Sequence, residues 1–306
     1  MLKPFSQSFA AMGTDCLLHL YAADAEQADA VFEQVADEVL RIEARYSRYR
    51  PDSVLAAINR MAASGGRIEV DGETAALLDY AHACYRKSDG LFDISSGLLR
   101  QAWDFDSGRL PEPATIAALL PRIGLDKISW SPPWLTFATP GMELDFGGIG
   151  KEYAADQAAA ICQALDVRHG VVDLGGDVVV IGPHPDGRPW SIKIRHPRRQ
   201  GEALAEVMLE RGAMATSGDY ERFLSVGGKR YCHILNPRSG WPVQGLAAVS
   251  VVADQCLVAG SVATIAMLKG VGGVPWLASL GLRYWWADAE GNPGGAPSAR
   301  ADSSPR

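Results

Sequence analysis

The chain has 306 residues, of which 47% are hydrophobic and 21% charged, with a net charge of −7 at pH 7. That length allows a large core and two lobes of one domain, the composition is ordinary for a soluble enzyme, and the acidic balance argues against nucleic acid as a bulk electrostatic partner. Five scattered cysteines, Cys16, Cys84, Cys162, Cys232 and Cys256, form no C-x-x-C pair and read as buried reduced thiols, not as a disulfide frame or a zinc site.

The start, "MLKPFSQSFAAMGTD", lacks the charged end and long apolar run of a secretory signal. A cytoplasmic location is expected, or a periplasmic one if a precursor was trimmed. "CLLHLYA" reads as a strand. From Asp24, a suitable N-cap, the residues Ala28, Phe32, Val35, Val39, Ile42 and Tyr46 recur every three or four positions and predict one face of a long helix. "GETAALLDYAHACYRKS" continues helical until Asp89-Gly90. "RLPEPATIAALLPRIG" predicts a short helix fenced by prolines, and "ISWSPPWLTFA" a strand, a Pro turn and a strand.

Ala154, Ala158, Ile161 and Leu165 mark a helix packed through small residues. "GVVDLGGDVVVIG" is β-rich around two glycines, as a bulged strand or a turn would be. "PWSIKIRHP", "EVMLE", "RYCHILN" and "LAAVSVVA" predict strands, "LVAGSVATIAMLKG" a helix, and "GLRYWWAD" a closing strand. No window holds eighteen unbroken apolar residues, so no membrane span is expected. Strands and helices mix without βαβ alternation, which predicts an α+β fold with mixed or antiparallel sheets. One domain is expected over residues 1–287, followed by a disordered Gly/Pro/Ser-rich tail, 288–306.

The most informative stretch is "ELDFGGIGKEYAADQA", Glu143–Ala158. An apolar run ends at Asp145, three glycines follow (Gly147, Gly148, Gly150), and Lys151 opens a helix. Backbone N–H groups at such a turn and helix start favour phosphate. The usual nucleotide patterns fail here. Tyr153 stands at the third glycine of G-x-G-x-x-G, and Asp145 and Glu152 break G-x-x-x-x-G-K-[ST]. A second cluster, "ATSGDYERFLSVGGKRYCHILNPRSG", crowds Thr216, Ser217, Asp219, Tyr220, Glu221, Arg222, His233, Asn236 and Arg238 into one hairpin-like unit. Taken alone, His233 reads as a satisfied core histidine and Asn236-Pro237 as part of a turn.

Taken in order, "AMGTD", "YSRYRPDSVLAAINR", "GLFDISSGLLRQAW", "LDFGGIGKEYAAD", "VDLGGDV", "TSGDYERF", "HILNPRSGWP" and "VATIAMLKG" resemble the ApbE-like FAD:protein FMN transferases over nearly the whole chain. The resemblance implies a fold related to the T-fold. It implies that FAD is bound and split, that its FMN half passes to a threonine or serine of a target protein, a redox or electron-transfer component, and that AMP leaves. Mg²⁺ is the implied cofactor, since it prefers hard oxygen ligands. Carried over residue by residue, Met12 and Tyr49 would line the flavin or adenine pocket with Phe92 and Asp93 nearby. Asp145 and Lys151 would contact FAD, and Ile234 would pack on it. The Gly148 carbonyl and Thr264 would ligate the metal, and His233 would contact the phosphate or the incoming hydroxyl.

One position departs from that pattern. Members typically carry an acid four residues before the helical threonine, one turn away on the same face. Here that position is Gly260, in "AGSVATIAMLKG". A weakened Mg²⁺ site is expected, and with it two alternatives: an FAD carrier, in which Gly260→Asp would restore metal dependence, or an FAD pyrophosphatase.

Overall fold

A computed structural model describes residues 1–296. In chain order the elements are strands β1 (Lys3–Ala11) and β2 (Thr14–Ala22), helices α1 (Ala25–Tyr46) and α2 (Val54–Ser64), strand β3 (Gly66–Glu69) and helix α3 (Gly72–Lys87). A 3₁₀ helix (Ile94–Gln101) precedes helix α4 (Pro113–Leu119), strands β4 (Ile128–Ser131) and β5 (Trp134–Phe137), and helix α5 (Gly150–Ala164). Eight strands come next: β6 (Gly170–Leu174), β7 (Asp177–Gly182), β8 (Trp190–Arg195), β9 (Ala203–Leu209), β10 (Gly212–Gly218), β11 (Phe223–Val226), β12 (Lys229–Cys232) and β13 (Leu246–Ala253). Helices α6 (Cys256–Lys269) and α7 (Gly273–Leu280) and strands β14 (Arg283–Asp288) and β15 (Pro293–Ala296) complete the described chain.

The central sheet has the order β1-β2-β6-β7-β10-β13-β14-β15 and is antiparallel at every pairing, so the fold is α+β. One face is covered by α1, α5 and α6, which lie against β1–β2, β6–β7 and β10–β13 respectively. The β8–β9 hairpin covers the other face through Ile194, Val207 and Leu209. Strand β7 is therefore buried along its whole length: Val179 and Ile181 meet the helices, Val178 and Val180 meet the hairpin. A strand covered on both faces has no polar side to alternate with, which explains the unbroken "VVVI".

Helix α1 follows its predicted stripe, with all six spaced residues buried and the Asp24 carboxylate accepting from the Gln27 N–H at 3.0 Å. The Gly175–Gly176 pair is a turn, not a bulge: both residues have positive φ, +65° and +95°, and connect β6 to β7 in a tight hairpin. All five cysteines are free and buried.

Two sequence expectations need correction. Residues 288–296 are ordered, because β15 pairs with β14 and the Asp288 carboxylate accepts from the Glu290 and Asn292 N–H groups at 3.1 and 2.7 Å. The rest of the expected tail, 297–306, lies outside the described residues. Strands β1 and β10 were absent from the sequence reading. β1 is a mostly exposed edge strand, and β10, "GAMATSG", is built from small residues so that α6 can approach it. Separately, Cys256–Leu280 is long and apolar enough to cross a membrane by length and composition, which does not overturn the expectation of no membrane span. In the fold it is two helices broken at Gly270–Gly272, and α6 lies against the sheet as a core helix.

Candidate functional site

A cleft of about 680 Å³ opens where the main core meets a smaller cluster built on Leu98, Leu99, Trp103 and Ile116. Its size lies within the range of small-molecule sites, roughly 300–1,000 Å³. The loop after α1 contributes Arg48 and Tyr49, and the 3₁₀ segment contributes Phe92, Asp93 and Arg100. Asp145, Gly147 and Gly148 come from the loop before α5, Lys151 and Glu152 from its first turn, and Asp177 from the start of β7. The end of β10 adds Thr216 and Ser217, the β11–β12 unit adds Glu221, Arg222, His233 and Ile234, and α6 adds Thr264 and Leu268.

Local contacts hold these groups in place. Asn59 on α2 exchanges two hydrogen bonds with the Leu144 backbone, donating to its carbonyl at 2.9 Å and accepting from its N–H at 2.7 Å, which fixes the approach to Asp145. The Asp145 carboxylate accepts from the Gly147 N–H at 2.9 Å and pairs with Arg48. Gly97 makes room for that loop, since a Cβ there would lie 2.5 Å from Asp145 Cβ. Helix α5 begins without a side-chain cap, and its Gly150 N–H donates to the Phe146 carbonyl at 2.7 Å.

The charges are paired unevenly. Lys151 Nζ lies 2.9 Å from Asp177 Oδ2. Burial pulls the lysine pKa down, but the adjacent Asp177 outweighs it and holds the ammonium charged well above its ordinary value. Glu152 is buried beside them, its Oε2 has no hydrogen-bond partner, and burial, reinforced by Asp177, pushes its pKa up to about 8. On α6, Thr264 Oγ1 and Ser217 Oγ of β10 share a hydrogen bond of 3.0 Å. His233 Nδ1 lies 3.1 Å from the Arg222 carbonyl, which can only accept, so Nδ1 carries the proton and Nε2 is left as a free base. The ring edge meets the open cleft, yet surrounding protein desolvates it enough to lower its pKa. The hydrogen bond to the Arg222 carbonyl and the charge of Glu221 oppose that lowering, while the Arg222 and Lys151 charges add to it.

Residues 12–285 match the ApbE family. The chain belongs to that family. It is 29% identical to the FAD:protein FMN transferase of Haemophilus influenzae, covering 86% of this chain and 80% of that one. The FAD:protein FMN transferase of Treponema pallidum is 30% identical, with 88% of this chain and 80% of the relative covered. The crystal structure of the ApbE protein from Thermotoga maritima superposes with a TM-score of 0.88 at 28% identity, covering 96% of this chain and 97% of the other.

In this ApbE-family chain the cleft gathers Tyr49, Phe92, Asp93, Asp145, Gly148, Lys151, His233, Ile234 and Thr264 from segments more than two hundred residues apart. Met12 is not among the lining residues. Its N–H is tied to Glu43 Oε1 of α1 at 2.8 Å and its side chain packs on the main core. Asp93 lines the wall, but both its oxygens are engaged: Ser95 N–H and Oγ–H donate to one and Leu125 N–H to the other. It organises the 3₁₀ segment and offers the cleft little free acceptor capacity.

Among the lining residues without a role in the sequence reading are Arg48, Glu152, Asp177 and Ser217. All four sit inside quoted motifs. Glu152 adjoins Lys151 at a helix start, where an acid reads as ordinary dipole compensation. Among the described residues, no three His, Cys, Asp or Glu side chains converge on a ready metal centre. The donors present are hard oxygens, among them Thr264, Ser217, the backbone near Gly148 and Glu152, whose Oε2 has no hydrogen-bond partner. That set fits Mg²⁺, which uses one or two carboxylates and takes its other ligands from phosphate and water.

Proposed function

We propose that this chain is an FAD:protein FMN transferase that moves FMN from FAD to a threonine or serine of a partner protein of redox function and releases AMP. The observation that carries the reading is that His233, with its tautomer fixed and Nε2 free, shares one cleft with Lys151 and the uncapped start of α5. An uncapped helix start and an ammonium favour a diphosphate. A hydroxyl nucleophile needs a base within hydrogen-bond reach.

The acceptor hydroxyl oxygen attacks the flavin-side phosphorus of FAD. A P–O ester bond forms, the P–O bond to the AMP phosphate breaks with its electron pair, and His233 Nε2 takes the hydroxyl proton. Lys151 orients the diphosphate, Tyr49 and Ile234 flank the rings, and Asp145 holds Arg48 at the cleft mouth. When bound, Mg²⁺ held by Thr264 and the Gly148 carbonyl supplies neutralisation of phosphate charge.

The test is incubation with FAD, Mg²⁺ and a flavin-acceptor domain. One AMP per covalent flavin on the acceptor is expected. The variant His233→Ala should bind FAD normally and transfer at least about 100-fold more slowly. Absence of both AMP and covalent flavin overturns the reading, and FMN plus AMP released at equal rates without acceptor replaces it by hydrolysis.

A further inference from the structure

We propose that Glu152, carried on α5, replaces the acid missing at position 260 of α6 and is the charged ligand of the divalent cation in this cleft. The inference rests on the reading of the cleft as a metal-assisted flavin transferase site.

Glu152 and a side chain at 260 claim the same space. A Cβ built on Gly260 would lie 2.5 Å from Glu152 Cγ, 2.6 Å from its Oε1 and 2.9 Å from its Cδ. The glycine is therefore the opening into which the glutamate reaches. This register is pinned by a second contact, since the Asp156 carboxylate caps α6 by accepting from the Cys256 and Leu257 N–H groups at 2.8 and 2.9 Å. Asp156 is one turn beyond Glu152 on α5, and Cys256 is one turn before Gly260 on α6, so the two helices meet twice on the same faces.

One of the Glu152 carboxylate oxygens also lacks a partner. Glu152 is 7% exposed and its Oε2 is buried with no hydrogen bond. The adjacent ammonium that might neutralise it is committed to Asp177 at 2.9 Å. A buried carboxylate oxygen left without a donor is rare, and it points to a cation at that place. Thr264 and Ser217 line the same cleft with their hydroxyls. A glutamate on α5 and a threonine on α6 thus supply what an acid and a threonine on one helix would supply.

The geometry also reverses one sequence expectation. Gly260→Asp alone should not strengthen metal binding, because its Cβ collides with Glu152. The exchange Glu152→Gly with Gly260→Asp should move the carboxylate from one helix to the other and keep the site.

Mn²⁺ titration of the full chain by electron paramagnetic resonance, with and without FAD, tests this. Wild type should bind Mn²⁺, Glu152→Gln at least about tenfold more weakly, and the double exchange close to wild type. If Glu152→Gln retains wild-type Mn²⁺ affinity, the inference is overturned. Should Glu152→Gln fail to fold, the double exchange decides alone, and loss of Mn²⁺ in a folded double variant counts against it. A wild type that binds Mn²⁺ through Glu152 but no FAD overturns the proposed function and leaves the ligand assignment standing.

Discussion

Lys151 is 28% exposed at its side chain, whereas its partner Asp177 is 4% exposed, so the carboxylate depends on the lysine more than the lysine on it. Removing the lysine leaves a buried charge without a counter-ion. Lys151→Met is therefore expected to destabilise the protein by about 3–5 kcal/mol in urea unfolding. Lys151→Met with Asp177→Asn should recover most of that stability and none of the FAD affinity. His233 gives a prediction in pH. A base acts only when unprotonated, and partial desolvation holds this imidazole below its ordinary value against the pull of the Arg222 carbonyl hydrogen bond and of Glu221. The acid limb of kcat/KM should lie below about pH 6.5, the unperturbed histidine value. A limb at or above that pH would show another base at work. None of this could be read from "RYCHILN", because the Arg222 carbonyl that fixes the tautomer is eleven residues away.

Elements place these residues, and close approach is what the placement requires. The 3₁₀ helix Ile94–Gln101 lies against the Asp145 loop, with the Asp145 N–H donating to the Ile94 carbonyl at 2.8 Å and Gly97 at the contact. Gly97→Ala is expected to cost roughly 1–3 kcal/mol by overpacking and to weaken FAD binding in fluorescence titration. Gly72→Ala, at the start of α3 with nothing within 4 Å of the new methyl, should leave both unchanged or gain stability. Helices α1, α3 and α5 were legible because one-sided burial writes a period of three to four into the chain. Helix α6 was legible as a helix but not as a face: buried nearly all round, it has small residues at Ala259, Gly260, Ala263 and Ala266 wherever α5 or the sheet comes close. Strand β10 was missed for the same reason, since small residues chosen for close approach carry no strand signature.

Across the whole molecule, one network ties three helices together. Glu73 on α3 accepts from Arg41 of α1 at 2.9 and 2.7 Å and from the Tyr153 hydroxyl of α5 at 3.0 Å, and it pairs with Arg45. The Arg41 hydrogen bonds, working against burial, hold its carboxyl below the ordinary glutamate value. Its stabilising share is complete above the unfolded value of about 4.3 and is lost as pH falls through the lower folded value. Glu73→Gln should lower stability at pH 7 by roughly 1–2 kcal/mol. The gap in melting temperature from wild type should narrow at pH 3; a gap that stays constant would deny the ionised contacts their part. The sequence by itself determined the α+β class, the buried faces of the long helices and the ordered motifs that mark the family, because each is written in spacing along the chain. Only the tertiary structure decided that Asp177 neutralises Lys151 and that Glu152 fills the place opened by Gly260. Those outcomes depend on which backbones come within a few ångströms of each other across a hundred residues, and no local pattern records that distance.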